Sequence, residues 1–295
     1  MQITQRDFRD RSDFTLIKNL LLKTDRQDLF VMAEEALQSP LVQNATQLWE
    51  VSGDLVAFAL VDTYANLCFA IAPSYRTTAM QDAIIKYAKG AMRARNAALG
   101  QQYTLDASCE STDAPARALF VRSGFTQQHI RSLDYTRSLL APIPPCVLPV
   151  GFRIRAVIGE QEVDALVALH RAAFGTNHMN AAERLAIMRT SQYVPDLDLV
   201  VETSDHHLAA FCIGELGQLA DGTLIGYPDP IGTHPAFQHH GLASALFSTA
   251  LQAFHDRGAL EARSGTSSEN IAMRCLFEKM GFSCSSEKIW FSLEV

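Results

Sequence analysis

The strongest periodicity lies in the second half of the chain. Ala243, Leu246, Phe247, Ala250, Leu251 and Phe254 recur at three- and four-residue steps, which predicts a helix with one buried face, closed by Gly258 as a C-cap. Val163, Leu166, Val167, Leu169 and Phe174 fit another helix; further helices are predicted over 181–189 and 270–280, the last ending before Gly281. Alternating or short apolar runs predict strands over 152–157, 197–202, 208–216, 223–233, 260–265 and 288–295. The first half repeats this order more weakly. Helices are expected near 13–23 and 27–38, strands near 46–52, 54–62 and 65–72, a helix near 77–95, a strand near 102–107 and a helix near 114–123. Strands and helices interleaved in this way indicate a mixed α/β class.

Pro142, Pro144, Pro145 and Pro149 interrupt the apolar stretch 139–152, which therefore cannot be a helix and reads as an extended linker. Expected domains are 1–140, a Pro-rich linker over 141–150, and 151–295. Two stretches answer each other across it. Residues 116–125 align with 273–282, with five of ten positions identical and an offset of 157. Residues 72–76 align with 234–238 at an offset of 162. Two matches in the same order, with offsets this close, favour duplication.

Composition narrows the function. The chain has 295 residues, 48% hydrophobic and 19% charged, with mean hydropathy +0.03, a globular composition. Twenty-five Lys and Arg against 32 Asp and Glu give a net charge of −7, with no basic stripe for nucleic acid and no basic patch for a membrane surface. Charged residues from Arg6 to Asp13 break any secretory apolar core, and no apolar run is long enough to span a bilayer. A cytoplasmic setting is expected. The six Cys form no C-x-x-C, and the His206-His207 and His239-His240 pairs have no partner at metal-binding spacing, so free thiols and no metal are expected.

The chemical signal is the turn at 238–243. A strand ends near Thr233, Pro235 stops it, and Gln238-His-His-Gly-Leu-Ala243 opens the strongest helix. The first turn of a helix presents unpaired N–H groups at the positive end of its dipole, a setting for phosphate. Small residues at Gly241 and Ala243 let an anion approach the backbone. A bland alternative is a glycine that merely begins a helix. The chain lacks both the P-loop pattern and the dinucleotide glycine triplet.

Gln238-x-x-Gly241-x-Ala243 resembles the pyrophosphate signature of the GNAT (GCN5-related) N-acetyltransferases. Asn270 with Ala272, Leu276, Phe277, Glu278, Lys279, Gly281 and Phe282 resembles that family's second motif. The resemblance covers 152–295 well and 1–140 faintly, and it implies two tandem GNAT-like domains, the first degenerate. It further implies acetyl-CoA as cosubstrate, set between two splayed strands. Ile231 and Thr233 would meet the pantetheine through their main chain, and Gln238, His239, His240, Gly241, Leu242, Ala243 and Ser244 would cradle the pyrophosphate. Asn270 would reach the pantetheine arm or serve as an ordinary helix N-cap. The partner would be an amine acceptor attacking the thioester directly, with no nucleic acid or membrane involved and a homodimer left open. Asp229, expected to share a strand face with Ile231 and Thr233, is the first candidate base, and Glu215 the second; the bland reading of each is a solvated strand-end carboxylate.

Two departures qualify this resemblance. The family often carries a Tyr as general acid where this chain has Phe277; Tyr227 or His234 are substitutes to consider. In the first half Ala79 and Gln81 replace the small residues of the turn, and Asp113 stands where Asn270 stands. That half is expected to have lost its coenzyme and to shape the acceptor cleft. A non-catalytic acyl-CoA sensor and a protein or peptide acetyltransferase stay open beside a small-molecule N-acetyltransferase.

Overall fold

The computed structural model describes residues 3–24, 26, 29–177, 179–191, 193–219 and 221–295. The chain forms two compact units, residues 1–131 with 288–295, and residues 132–287. The segment 141–150 lies inside the second unit rather than between units. Ala141 and Pro142 accept hydrogen bonds from Arg137, at 3.2 and 2.6 Å, and Ile143 and Leu148 pack on the second unit's core.

In the first unit, β1 (Ile3–Asp7), β2 (Thr46–Val51), β3 (Asp54–Val61) and β4 (Leu67–Ile71) make an antiparallel sheet in that order. Strand alternation sorts its residues between two helical layers. Leu48, Phe58 and Leu60 join Ile17, Leu20 and Leu21 of α1 (Arg11–Leu22) and Ala33 of α2 (Phe30–Ala36). Trp49, Ala57 and Ala59 join Ile84, Ala88 and Met92 of α4 (Thr78–Leu99), which follows the short α3 (Pro40–Gln43). β5 (Leu105–Glu110) pairs with residues 288–293, the end of β12 (Ser283–Leu293). It meets β4 only near one parallel bridge, Asn66 to Asp106. α5 (Ala114–Arg122) leads to β6 (Thr126–Ser138), whose second half belongs to the second unit.

In the second unit β7 (Phe152–Ala156), β8 (Tyr193–Thr203), β9 (Leu208–Gln218) and β10 (Leu224–Thr233) are antiparallel neighbours. β11 (Glu261–Ser267) joins β10 in parallel, and residues 132–138 of β6 flank β11. α6 (Val163–Phe174) and α7 (Ala181–Met188) cover one face with Val200, Phe211 and Ile213 beneath them. α8 (Leu242–Asp256) and α9 (Ile271–Lys279) cover the other, over Leu199, Ala210 and Cys212.

The helices and strands expected in the second half are all present. The helix expected over 27–38 begins on residues outside those described and runs over Phe30–Ala36; the strand expected near 102–107 runs over Leu105–Glu110. β1 and β6 were not expected. β6 is mostly polar, so its own pattern hides it; its second half is a strand because β11 supplies an antiparallel partner.

Candidate coenzyme site and acceptor face

β10 and β11 start as neighbours and then part. They pair only at Ile225–Glu261 and Gly226–Ala262, although β10 continues to Thr233 and β11 to Ser267. From Tyr227 onward the β11-facing edge of β10 has no ladder pairing with β11, which leaves a gap between the two strands. Gly226 is where the sheet leaves room for the Phe254 ring of α8, since a Cβ there would stand 2.3 Å from it.

At the end of β10 comes a one-turn 3-10 segment, Pro235–Phe237, and then a turn in which His239 (φ 64°) and Gly241 (φ 77°) are both left-handed. Gly241 is the N-cap of α8 and provides no side chain to it. None of the N–H groups from His239 to Ser244 has an acceptor among the described residues. A Cβ on Gly241 would meet nothing within 4 Å. The row of donors opens on free space at the positive end of a 15-residue helix, and such a row suits a diphosphate. Gln238 Nε2 donates to the Thr233 carbonyl at 3.5 Å and ties the turn to the strand end.

A positive group to which the second motif assigned no role stands beside this turn. Lys279 Nζ, from the last turn of α9, donates to Ser244 Oγ at 3.2 Å and has no carboxylate partner among the described residues. Asn270 Oδ1 accepts from the Met273 N–H at 3.1 Å, so the side chain is the N-cap of α9. Phe277 belongs to the second unit's core. It is fully buried, stacked on Tyr135 at 4.5 Å and packed against Phe247 and Phe282. His234 Nδ1 accepts from the Ala236 N–H at 3.1 Å.

Asp229 is not in phase with Ile231 and Thr233. Pro228 pairs with Gly214 and Ile231 with Cys212, so residues 229 and 230 form a bulge opposite Ile213, and the expected alternation is broken. Ile231 and Thr233 pair with Cys212 and Ala210 of the α8-side core. The neighbours of the Asp229 carboxyl lie across the gap on β11. The Gly265 N–H and the Ser264 hydroxyl, a buried group without a hydrogen bond of ordinary geometry, both favour its ionised form. Asp229 is exposed to solvent, and the protein around its carboxyl desolvates it in part. This desolvation outweighs both contacts and pushes its carboxyl up to about 6. Neither Ser264 nor Gly265 had a signal in the sequence, because β11 is too short and polar to mark its faces.

Glu215 is half-buried on β9, paired with Tyr193 of β8 and Tyr227 of β10. Residues 211 and 213 lie under α6 and α7, so alternation puts Glu215 on that face, away from α8. The Tyr227 ring lies over Gly217, whose Cβ would come within 2.9 Å of it.

A sequence profile of the acetyltransferase (GNAT) family matches residues 164–282. This segment belongs to the GNAT family. The family uses acetyl-CoA as its cosubstrate. Among curated relatives, a mycothiol acetyltransferase of Salinispora arenicola is 28% identical over 172 residues, 57% of this chain and 56% of the relative. Another from Pseudarthrobacter chlorophenolicus is 25% identical over 240 residues, 78% of this chain and 71% of the relative. The chain thus spans little more than half the length of the first. Two solved structures align over 99% of the chain with a TM-score of 0.70: a GCN5-related N-acetyltransferase from Sphaerobacter thermophilus, 16% identical and covered to 95%, and a tandem GNAT protein from the clavulanic acid biosynthesis pathway, 15% identical and covered to 98%. At such identities these structures establish the fold, two GNAT-like domains in tandem.

The duplication is visible bond by bond. Arg76 Nε donates to the Ile71 carbonyl as Gln238 does to Thr233, each five residues back. Asp113 caps α5 through the Ala116 N–H as Asn270 caps α9. Phe125 N–H returns to the Phe120 carbonyl, and Phe282 N–H to Phe277. The two turns differ where an anion would sit. In the first unit Thr77 caps α4, its Oγ1 accepting from the Met80 N–H at 3.2 Å. Arg122, the counterpart of Lys279, is held by Asp82 at 3.0 Å. The second unit has Ser244 in place of Asp82 and no side-chain cap.

Proposed function

We propose that the second unit is an acetyl-CoA-dependent N-acetyltransferase that moves an acetyl group to the primary amine of a small molecule. The observation that carries this reading is the parting of β10 from β11 directly before an uncapped row of N–H groups. The pantetheine would lie along the free edge of β10 near Ile231 and Thr233. The diphosphate would take the N–H groups of the 238–244 turn, and Lys279 would add the positive charge that an acidic protein otherwise lacks there. Asn270, with its oxygen used as a cap, would offer its amide nitrogen to the pantetheine arm.

A primary ammonium has a pKa near 10 and is no nucleophile until it loses a proton. The Asp229 carboxylate, in the gap and half-neutralised near pH 6, would take that proton directly or through a water. The neutral amine would then attack the thioester carbonyl; the C–S bond breaks and the amide forms. The thiolate leaves with a conjugate-acid pKa near 8.5, which water can protonate, so the lack of a hydroxyl at Phe277 is tolerable. Glu215 is the second candidate base. The first unit would be a copy whose coenzyme turn is closed by its own Thr77 and Asp82.

Calorimetry with coenzyme A, paired with thiol release from acetyl-CoA over a panel of amines, tests the proposal. Binding followed by release with a free amine is the expected result. Coenzyme binding without turnover of any amine would make this an acyl-CoA sensor, and preferential turnover of peptides would make it a protein acetyltransferase.

A further inference from the structure

The α6/α7 face of the second unit holds polar atoms that no hydrogen bond among the described residues satisfies. Arg184 on α7 and Asp198 on β8 are both more than nine-tenths buried. They are joined through Arg184 Nη2 and Asp198 Oδ2, and the Tyr193 hydroxyl donates to the same Oδ2 at 2.6 Å. Among the described residues this leaves Arg184 Nη1 and Asp198 Oδ1 buried without a partner, and His170 Nδ1 on α6 is in the same condition. The His170 ring lies against Phe174 and Phe211, with centroids 4.6 and 5.6 Å away. Buried polar atoms are nearly always paired in folded proteins, so a group of three calls for an occupant.

Sheet register ties this cluster to the reaction site. Asp198 pairs with Ile213, and Ile213 stands opposite the bulge at residues 229 and 230. Two strand spacings, about 10 Å, therefore separate the backbone at Asp198 from that at Asp229. Tyr193, Glu215 and Tyr227 form the neighbouring row across the same three strands. His170 and Tyr193, each partly accessible, form the outer edge of the cluster.

We propose that the Arg184–Asp198 pair is the acceptor-recognition subsite of the acetyl transfer proposed above, on which this inference rests, and that it takes a hydroxyl group at the far end of the acceptor, roughly two strand spacings from the reacting amine. The pair is neutral overall and offers one donor, Arg184 Nη1, beside one acceptor, Asp198 Oδ1. A hydroxyl accepts from the first and donates to the second. A carboxylate would face the Asp198 oxygen, a second ammonium would face the Arg184 guanidinium, and a methyl would leave both atoms unpaired.

The test compares 6-aminohexan-1-ol with hexylamine, 6-aminohexanoate and 1,6-diaminohexane, probes alike in length that differ at the far end. Each is titrated by calorimetry into the 295-residue chain saturated with coenzyme A, so that binding is read without turnover. The amino alcohol is expected to bind at least about tenfold more tightly than the other three, the usual size of discrimination by a buried hydrogen-bonding site. The double variant Arg184→Met/Asp198→Leu replaces a buried ion pair by apolar groups, an exchange that folds commonly accept. It is expected to bring that ratio close to one with coenzyme A affinity retained. Asp198→Asn carries the same comparison if the double variant does not fold. A ratio near one in the parent protein, the result if the cluster merely holds buried water, would overturn the proposal, and so would an undiminished ratio in the variants. Selective binding of the amino alcohol without thiol release from acetyl-CoA would leave this subsite standing and remove the transferase reading instead.

Discussion

Gly241→Val puts a side chain where the backbone must admit an anion. The residue has φ 77°, and nothing lies within 4 Å of its would-be Cβ, so the substitution meets no clash and its folding cost is backbone strain alone. A non-glycine residue in the left-handed region costs about 1–3 kcal/mol. Gly258, beyond the C-terminal end of the same helix, has φ 85° and equally free surroundings, so Gly258→Val carries a matched strain far from the turn. Both variants should lose similar thermal stability. Only Gly241→Val should lose coenzyme, because its methyl groups hold the diphosphate off the N–H row. Displacing two charge-assisted hydrogen bonds at about 1.5–3 kcal/mol each removes about 3–6 kcal/mol of binding. That corresponds to a roughly 100- to 10,000-fold weaker Kd. Calorimetry with coenzyme A on the two variants decides the matter. If Gly241→Val binds within about threefold of Gly258→Val, the turn is not the phosphate site and the reasoning fails.

Asp229→Asn should lower kcat and remove the acid limb of the pH profile, with coenzyme affinity unchanged. In the parent, kcat/KM should fall below about pH 6, where Asp229 gains its proton. Because desolvation raises this carboxyl from 3.8, the small stability this exposed group contributes is present in full below the unfolded value and is lost as pH rises through about 6. An identical limb in the variant would remove Asp229 as the base. Phe277→Tyr should destabilise the second unit by about 1–3 kcal/mol, since its hydroxyl would enter a closed aromatic cluster; thermal melting measures this, and a gain in turnover would show that the ring reaches the thiolate after all. Lys279→Glu should weaken coenzyme A binding, and the parent's affinity should fall with salt more steeply than the variant's; equal salt slopes would place Lys279 outside the site.

The periodicities of the second half, the internal repeat and the 238–243 turn were enough to set out the helix–strand order of that half and to single out the turn proposed to hold the coenzyme. These are local properties: a 3.6-residue repeat, a glycine at a helix start and a proline that ends a strand act over a few residues and are written in order along the chain. Other features exist only through partners distant in sequence. β6 is too polar to announce itself and is a strand beside β11. The bulge at Asp229 comes from how three residues of β10 fit against two of β9, and it turned a carboxylate assigned to one strand face into one facing Ser264 and Gly265 across a gap. Phe277 occupies a familiar motif position, yet packing with Tyr135 and Phe247 commits it to the core. The Arg184–Asp198 pair was invisible because its two members, 14 residues apart, meet only when α7 lies on β8. Sequence thus determined the elements and marked out the turn at 238–243, while tertiary structure decided burial, pKa and which side chains face the gap beside β10, because those depend on neighbours brought together only by packing.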